Sequence, residues 1–145
     1  MPDAVLDGEL VVPTAEGRSD FEELRRRNLL LRARLIHEAA ARRPAVLVVF
    51  DLLQIGGADF RERPLSERRR ALHEHIPRSP GMQIIEHVDT HGEALFHAIA
   101  AGDHEGIVAK RIDAPYRAGR QPSWVKIKNR DYSRRAAVEW MGRTD

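Results

Sequence analysis

Apolar positions along the chain switch between strand-like and helix-like spacing. Residues 4–12 (AVLDGELVV) are apolar and branched around a central Asp-Gly-Glu, and they predict a strand. A turn over 13–18 follows. Ser19 with Glu22 gives a capping-box pattern that starts a helix at Asp20. Phe21, Leu24, Leu31, Leu35, Ile36 and Ala39 recur near the helical period, so one broken helix or two short ones run to about Arg43. Arg25, Arg26 and Arg27 are expected on its solvated face. Pro44 ends that pattern, and AVLVVFDLLQI (45–55) is a continuous apolar run of the kind a strand covered on both faces carries. Gly56-Gly57 turns the chain, Pro64 opens a charged helix over 66–76, and Arg68, Arg69 and Arg70 read as solvated. A third strand is expected over 82–88, a helix over 91–101 ended by Gly102, a fourth strand over 106–112, and a turn-rich loop over 113–122. WVKIK (124–128) alternates cleanly, with Trp124, Lys126 and Lys128 facing one way and Val125 and Ile127 the other. Residues 133–145 read as a basic, polar tail or short helix. The length of 145 residues fits one domain.

Composition narrows the chemistry. The chain has 145 residues, 32% charged and 42% hydrophobic, an ordinary globular balance. Cysteine is absent, which excludes disulfide scaffolds, thiolate metal sites and cysteine nucleophiles. Asp3, Asp7, Glu9, Glu16 and Asp20 crowd the start, unlike a secretory signal, and no apolar run is long enough to cross a membrane, so a cytoplasmic protein is expected. The seven histidines show no metal-ligand spacing. Net charge is only +2. The distribution of bases says more: of 24 Lys plus Arg, only Lys110, Lys126 and Lys128 are lysine, and all lie in the last quarter. A compact ammonium is a point-charge phosphate binder, which a planar guanidinium is not.

Four segments, each on or beside a predicted strand, carry candidate chemistry: Leu6-Asp7-Gly8-Glu9-Leu10, Phe50-Asp51-Leu52-Leu53, Glu105-Gly106-Ile107-Val108-Ala109-Lys110 and Trp124-Val125-Lys126-Ile127-Lys128. Taken singly, each has an ordinary reading as a turn, a core residue or a solvated strand. Together they supply what a nucleoside triphosphate site needs. Lys126 and Lys128 put two ammonium groups on one strand face, about 6.6 to 6.8 Å apart along the axis. Glu9 and Glu105 are carboxylates for Mg²⁺, which takes only one or two and keeps several waters. Phe50 offers a ring face to a base.

In order and spacing these segments resemble motifs III, IIIa, IV and V of the covalent nucleotidyltransferases. Within that superfamily they are most similar to ATP-dependent DNA ligases of the bacterial end-joining type. FDLLQIGGADFRERPLSERRRAL (50–72) and EGIVAKRIDAPYRAGRQPSWVKIKNRDY (105–132) extend the likeness, which covers about residues 4–132. The capping enzymes and RNA ligases share these motifs, but the FDLL and EGIVAK flanks look more like DNA ligase. The resemblance implies an α+β fold, a partial adenylation domain over residues 1–132, ATP-grasp-like, with largely antiparallel sheets flanked by helices. It implies ATP and Mg²⁺ as cofactors, and nicked duplex DNA or DNA ends as substrate in repair and recombination. It places Glu9 near the ribose, Phe50 on the adenine, Glu105 at the metal, and Lys126 and Lys128 at the α-phosphate. Lys110 fits the motif IV pattern as a further nucleotide contact. Arg111, Arg117 and Arg120, with Arg130 nearby, are candidate contacts to DNA phosphates.

The family's nucleophile is a lysine in a Lys-x-Asp-Gly motif. Here no Lys precedes Lys110, and no Lys-x-Asp-Gly occurs anywhere. Without that amine there is no enzyme-bound AMP, and a guanidinium, always protonated, cannot stand in. The expectation is a chain carrying motifs III to V alone, without the nucleophile motif or the C-terminal OB-fold. A truncated or mis-started reading frame is favoured over a second polypeptide supplying the N-terminal half. On this reading Val46, Val48 and Phe50 would be left on exposed apolar surface. The alternative is a catalytically inactive nucleotide- or DNA-binding remnant.

Overall fold

A computed structural model describes residues 3–15, 17–119 and 121–133. The chain divides into two compact units, Met1–Ile85 and Glu86–Asp145.

The first unit is built on β2 (Val46–Ile55), the long apolar run of the sequence. It pairs antiparallel along its whole length with β1 (Ala4–Val11). Its other edge is shared by β3 (Ala58–Asp59), antiparallel, and β4 (Met82–Ile84), parallel. Pairing on both edges makes β2 the central strand, and its burial pattern lacks clean alternation where two register shifts interrupt the ladder with β1. Gly56 and Gly57, at φ 54° and 80°, form the tight turn into β3, where L side chains are strained. The predicted strand over 82–88 stops at Ile84. Conversely, the two-residue β3 had no sequence signal beyond the Gly-Gly turn. Helix α3 (Leu65–His75) packs on β2, and Val49, Leu52, Phe60, Ala71, Leu72, Ile76, Met82 and Ile84 form the core.

Helices α1 (Phe21–Asn28) and α2 (Ala33–Arg42) are the expected broken pair. The cap, however, falls one residue later than the Ser19/Glu22 pattern predicts. Asp20 is the N-cap, and its carboxylate accepts from the Glu23 N–H at 2.9 Å. Arg43 also reaches Asp20, at 3.1 Å, and it bonds the Pro13 carbonyl, tying the end of α2 to the start of α1. Two arginines read as solvated turn inward. Arg27 is 12% exposed and bonds Glu23 at 2.8 Å. Arg68 is fully buried and donates two bonds to the equally buried Asp51, at 2.8 Å each, plus one to the Arg63 carbonyl at 2.6 Å. The expected apolar exposure at Val46, Val48 and Phe50 is also corrected. Val46 is buried and the other two are half-buried, because β1 and β4 cover β2. Among the described residues of this unit the most exposed large apolar side chains are Leu29 and Leu31, between α1 and α2.

In the second unit, α4 (Gly92–Ala101) leads through a tight turn into β5 (Gly106–Lys110), which pairs antiparallel with β6 (Trp124–Lys128). Opposed residues of an antiparallel pair share a face. Gly106, Val108 and Lys110 therefore lie with Lys128, Lys126 and Trp124, while Ile107, Ala109, Val125 and Ile127 lie on the other side. Ile107, Ala109 and Ile127 line a groove with Ala94 and Phe96 of α4. The apolar face is thus turned to the helix and the cationic face away from it. The tail expected over 133–145 lies outside the described residues from 134 onward.

Candidate functional site

In the first unit the two candidate side chains are placed by an irregularity in the β1–β2 ladder. Register shifts fall between Val5 and Leu6 and between Asp7 and Gly8, and the second leaves Phe50 as the unmatched residue of β2. Gly8 is required there, since a Cβ would lie 2.6 Å from the Val48 carbonyl oxygen. Glu9 stands opposite Val48, and Phe50 is the extra residue of β2 at the bulge, between the buried Val49 and Asp51. Glu9 is exposed and Phe50 half-buried, so both remain reachable. The Asp-Gly-Glu of the sequence is therefore a bulge inside the expected strand. Asp51, next to Phe50, is buried in an ion pair with Arg68.

In the second unit, strand alternation alone would send Glu105 to the face opposite Lys126. Gly106, at φ 142°, reverses that direction. A Cβ at Gly106 would overlap the Ile127 carbonyl oxygen, so only glycine permits both the conformation and the close strand approach. The Glu105 carboxylate consequently meets the Lys126 Nζ at 2.7 Å, both side chains about half exposed at 54% and 51%. An exposed pair of this kind stabilises the fold by at most about 1 kcal/mol. An incoming polyanion can displace it at little cost. Lys128 stands exposed on the same face, one pleat along. Lys110 is placed differently. Its Nζ lies 3.6 Å above the Trp124 ring, which Tyr116 contacts edge-on at 5.7 Å, so its ammonium is held by an aromatic partner.

The arginines divide. Arg111 is exposed but forked onto Asp113, at 2.7 and 3.2 Å; that bond raises the guanidinium pKa and lowers the carboxyl's. Arg117 is exposed and donates to the Tyr116 carbonyl at 3.1 Å. Arg120 lies outside the described residues. Among the described residues no group of three or more His, Asp or Glu side chains forms a metal cage. Glu105 is a hard oxygen donor next to a phosphate-binding type of cation. That fits an ion that takes one or two protein carboxylates and completes its shell with phosphate and water. No described helix is long and apolar enough to cross a membrane.

Sequence reasoning did not find Asn129, Asp103 or Ser133, which bracket Glu105. Asn129 is buried and donates to the His104 carbonyl at 3.1 Å. Its backbone N–H bonds the Glu105 carbonyl at 2.8 Å, and Asp103 takes two bonds from Ser133. A lone Asn after a basic strand carries no distinguishing pattern.

Residues 1–128 match the family described as "ATP dependent DNA ligase domain". The chain is 37% identical over 129 residues to a probable DNA ligase of Sorangium cellulosum, covering 86% of this chain and 24% of that protein. It is 32% identical to the SPbeta prophage-derived DNA ligase-like protein LigB of Bacillus subtilis (92% and 47%), and 34% identical to the bifunctional non-homologous end joining protein LigD of the same organism (86% and 22%). The chain thus spans less than half the length of these curated relatives. Among solved structures, it superposes on a mycobacterial DNA ligase D complexed with ATP and MES at a TM-score of 0.66 and 26% identity, covering 86% of this chain and 38% of that one. The ligase domain of M. tuberculosis LigD gives the same TM-score and coverage at 29% identity.

Proposed function

The chain belongs to the ATP-dependent DNA ligase family, and from that premise we propose that its second unit binds the phosphates of ATP on the lysine-bearing face of β5–β6. One observation carries this reading: Glu105 and Lys126 meet at 2.7 Å, with Lys128 on the same exposed face. Two ammonium groups on a rigid strand supply point charges for phosphate oxygens. The Glu105 carboxylate, released from Lys126 by the incoming phosphate, would be a ligand for Mg²⁺, and that ion would neutralise the polyphosphate's charge. In the first unit, Phe50 offers a ring face of the kind an adenine stacks on, and Glu9 a carboxylate of the kind that bonds a ribose or a metal. Lys110, steadied by Trp124, contributes a further positive charge. Arg111, Arg117 and Arg120 would contact the phosphates of a nicked duplex or a DNA end, which places the intact family activity in DNA repair and recombination.

The sequence given holds the binding groups without the attacking amine. We therefore read it as binding ATP without forming the covalent lysyl-AMP that strand joining requires. Equilibrium dialysis with ATP and Mg²⁺, followed by intact mass spectrometry of the same sample, tests both halves. Retained ATP with no mass increase of AMP is expected. A covalent AMP adduct would overturn the second half, and no retention would overturn the first. A second reading, a DNA-binding remnant with no nucleotide, predicts salt-dependent DNA binding that ATP does not alter.

A further inference from the structure

Glu105 stands just before β5, where one bond from the Asn129 N–H continues the β5–β6 ladder by a rung. Two further contacts, from side chains outside the four motifs, hold the segment that leads into it. The chain leaves α4 through Gly102 and Asp103, and Asp103 sits at φ 55°, the one non-glycine with positive φ among the described residues. An Asp tolerates that conformation better than most residues, but still at a cost that its surroundings must offset. Here both carboxylate oxygens of Asp103 are held by Ser133, from its N–H at 3.0 Å and its Oγ at 2.6 Å. Between them lies Asn129, 7% exposed, which uses its amide fully. The Nδ2 donates to the His104 carbonyl, the Oδ1 accepts from the Asp131 N–H at 3.1 Å, and the backbone N–H bonds the Glu105 carbonyl. The segment 129–133 thus closes over residues 103–105 like a clasp, immediately beyond the Lys126 and Lys128 strand.

The buried Asn129 amide therefore ties the turn after β6, through the Asp131 N–H, to the backbone immediately before the exposed Glu105 carboxylate, through the His104 carbonyl. We infer that Asn129, supported by the Asp103–Ser133 contact, is a positioning residue that holds the Glu105 carboxylate in register with Lys126 for a metal-bound triphosphate. This rests on the reading of Glu105 and Lys126 as the phosphate site. It concerns residues that touch no ligand themselves.

A double-mutant cycle on MgATP binding by the full chain tests it. Asn129→Ala and Glu105→Gln should each weaken binding about tenfold. The double variant should bind within about twofold of the weaker single one, because both changes remove the same carboxylate from its place. Circular dichroism and thermal melting report whether each variant folds. Should Asn129→Ala fail to fold, Ser133→Ala removes one rim bond and leaves the buried amide intact. It should weaken binding about threefold in the wild-type background and not at all beside Glu105→Gln. Losses that multiply, or wild-type binding by folded Asn129→Ala or Ser133→Ala, would overturn the positioning role alone. Wild-type binding by Glu105→Gln would instead overturn the phosphate-site reading, and the clasp inference with it.

Discussion

Arg68 and Asp51 are 17 residues apart in the chain and fully desolvated together. The forked geometry satisfies the carboxylate, which also accepts from the Leu52 N–H at 3.0 Å. Removing one partner strands the other's charge in the core, a loss of about 3 to 5 kcal/mol. Urea denaturation of Arg68→Leu should show a drop of that size, and a change under about 1 kcal/mol would contradict it. The buried role was legible in principle: Leu65, Arg68 and Leu72 share a helical face, but the run of three arginines drew the reading toward solvent. At the surface, Glu23 is held to a pKa of about 2 by hydrogen bonds from Arg26 and then Arg27, and Asp59 to about 2 by Arg61. Their ordinary values are 4.5 and 3.8. Both bind their protons more weakly when folded, so the stability they confer is complete above about pH 4.5 and is lost as pH falls toward 2. The urea midpoint should fall across that window and fall less steeply in Glu23→Gln. An equal slope in the variant would refute the assignment.

At the scale of elements, glycine decides where the candidate side chains point. Gly106→Ala would force both a strained φ and an overlap with the Ile127 carbonyl. The cost is about 1 to 3 kcal/mol, relieved by separating the strand ends where Glu105 and Lys128 stand. Melting temperature and MgATP affinity should fall together in this variant, whereas Gly81→Ala, with no left-handed φ and nothing within 4 Å of its Cβ, should leave affinity unchanged. Equal affinity in Gly106→Ala and wild type would refute this role for Gly106. Both helices before β2, the long central strand and the alternation of β6 were readable from spacing, because periodicity reports which face is covered. The direction of Glu105 was not, because a single positive φ breaks alternation. The bulge at Gly8 and Phe50 was missed for a related reason: Asp-Gly reads as a turn unless the partner strand is known. The helix cap slipped by one because Ser19 and Asp20 are both capping residues, and only backbone geometry chooses between them.

Over the whole molecule, the candidate groups are distributed between two compact units, Glu9 and Phe50 in the first and Glu105, Lys110, Lys126 and Lys128 in the second. Family membership was legible because the four motifs keep their order across most of the chain, and residues 1–128 match the ligase domain family. The side chains that flank Glu105 were not legible, since the Asn129 side chain bonds only backbone groups and Asp103 and Ser133 meet across 30 residues of sequence. The account depends on the lysine face being the phosphate site. Isothermal titration of MgATP into the wild-type chain and into Lys126→Ala/Lys128→Ala measures this directly. Each charge-assisted bond to phosphate contributes about 1.5 to 3 kcal/mol, so the double variant should bind at least about a hundredfold more weakly while keeping the wild-type fold by circular dichroism. Undiminished MgATP affinity in the folded double variant would contradict it.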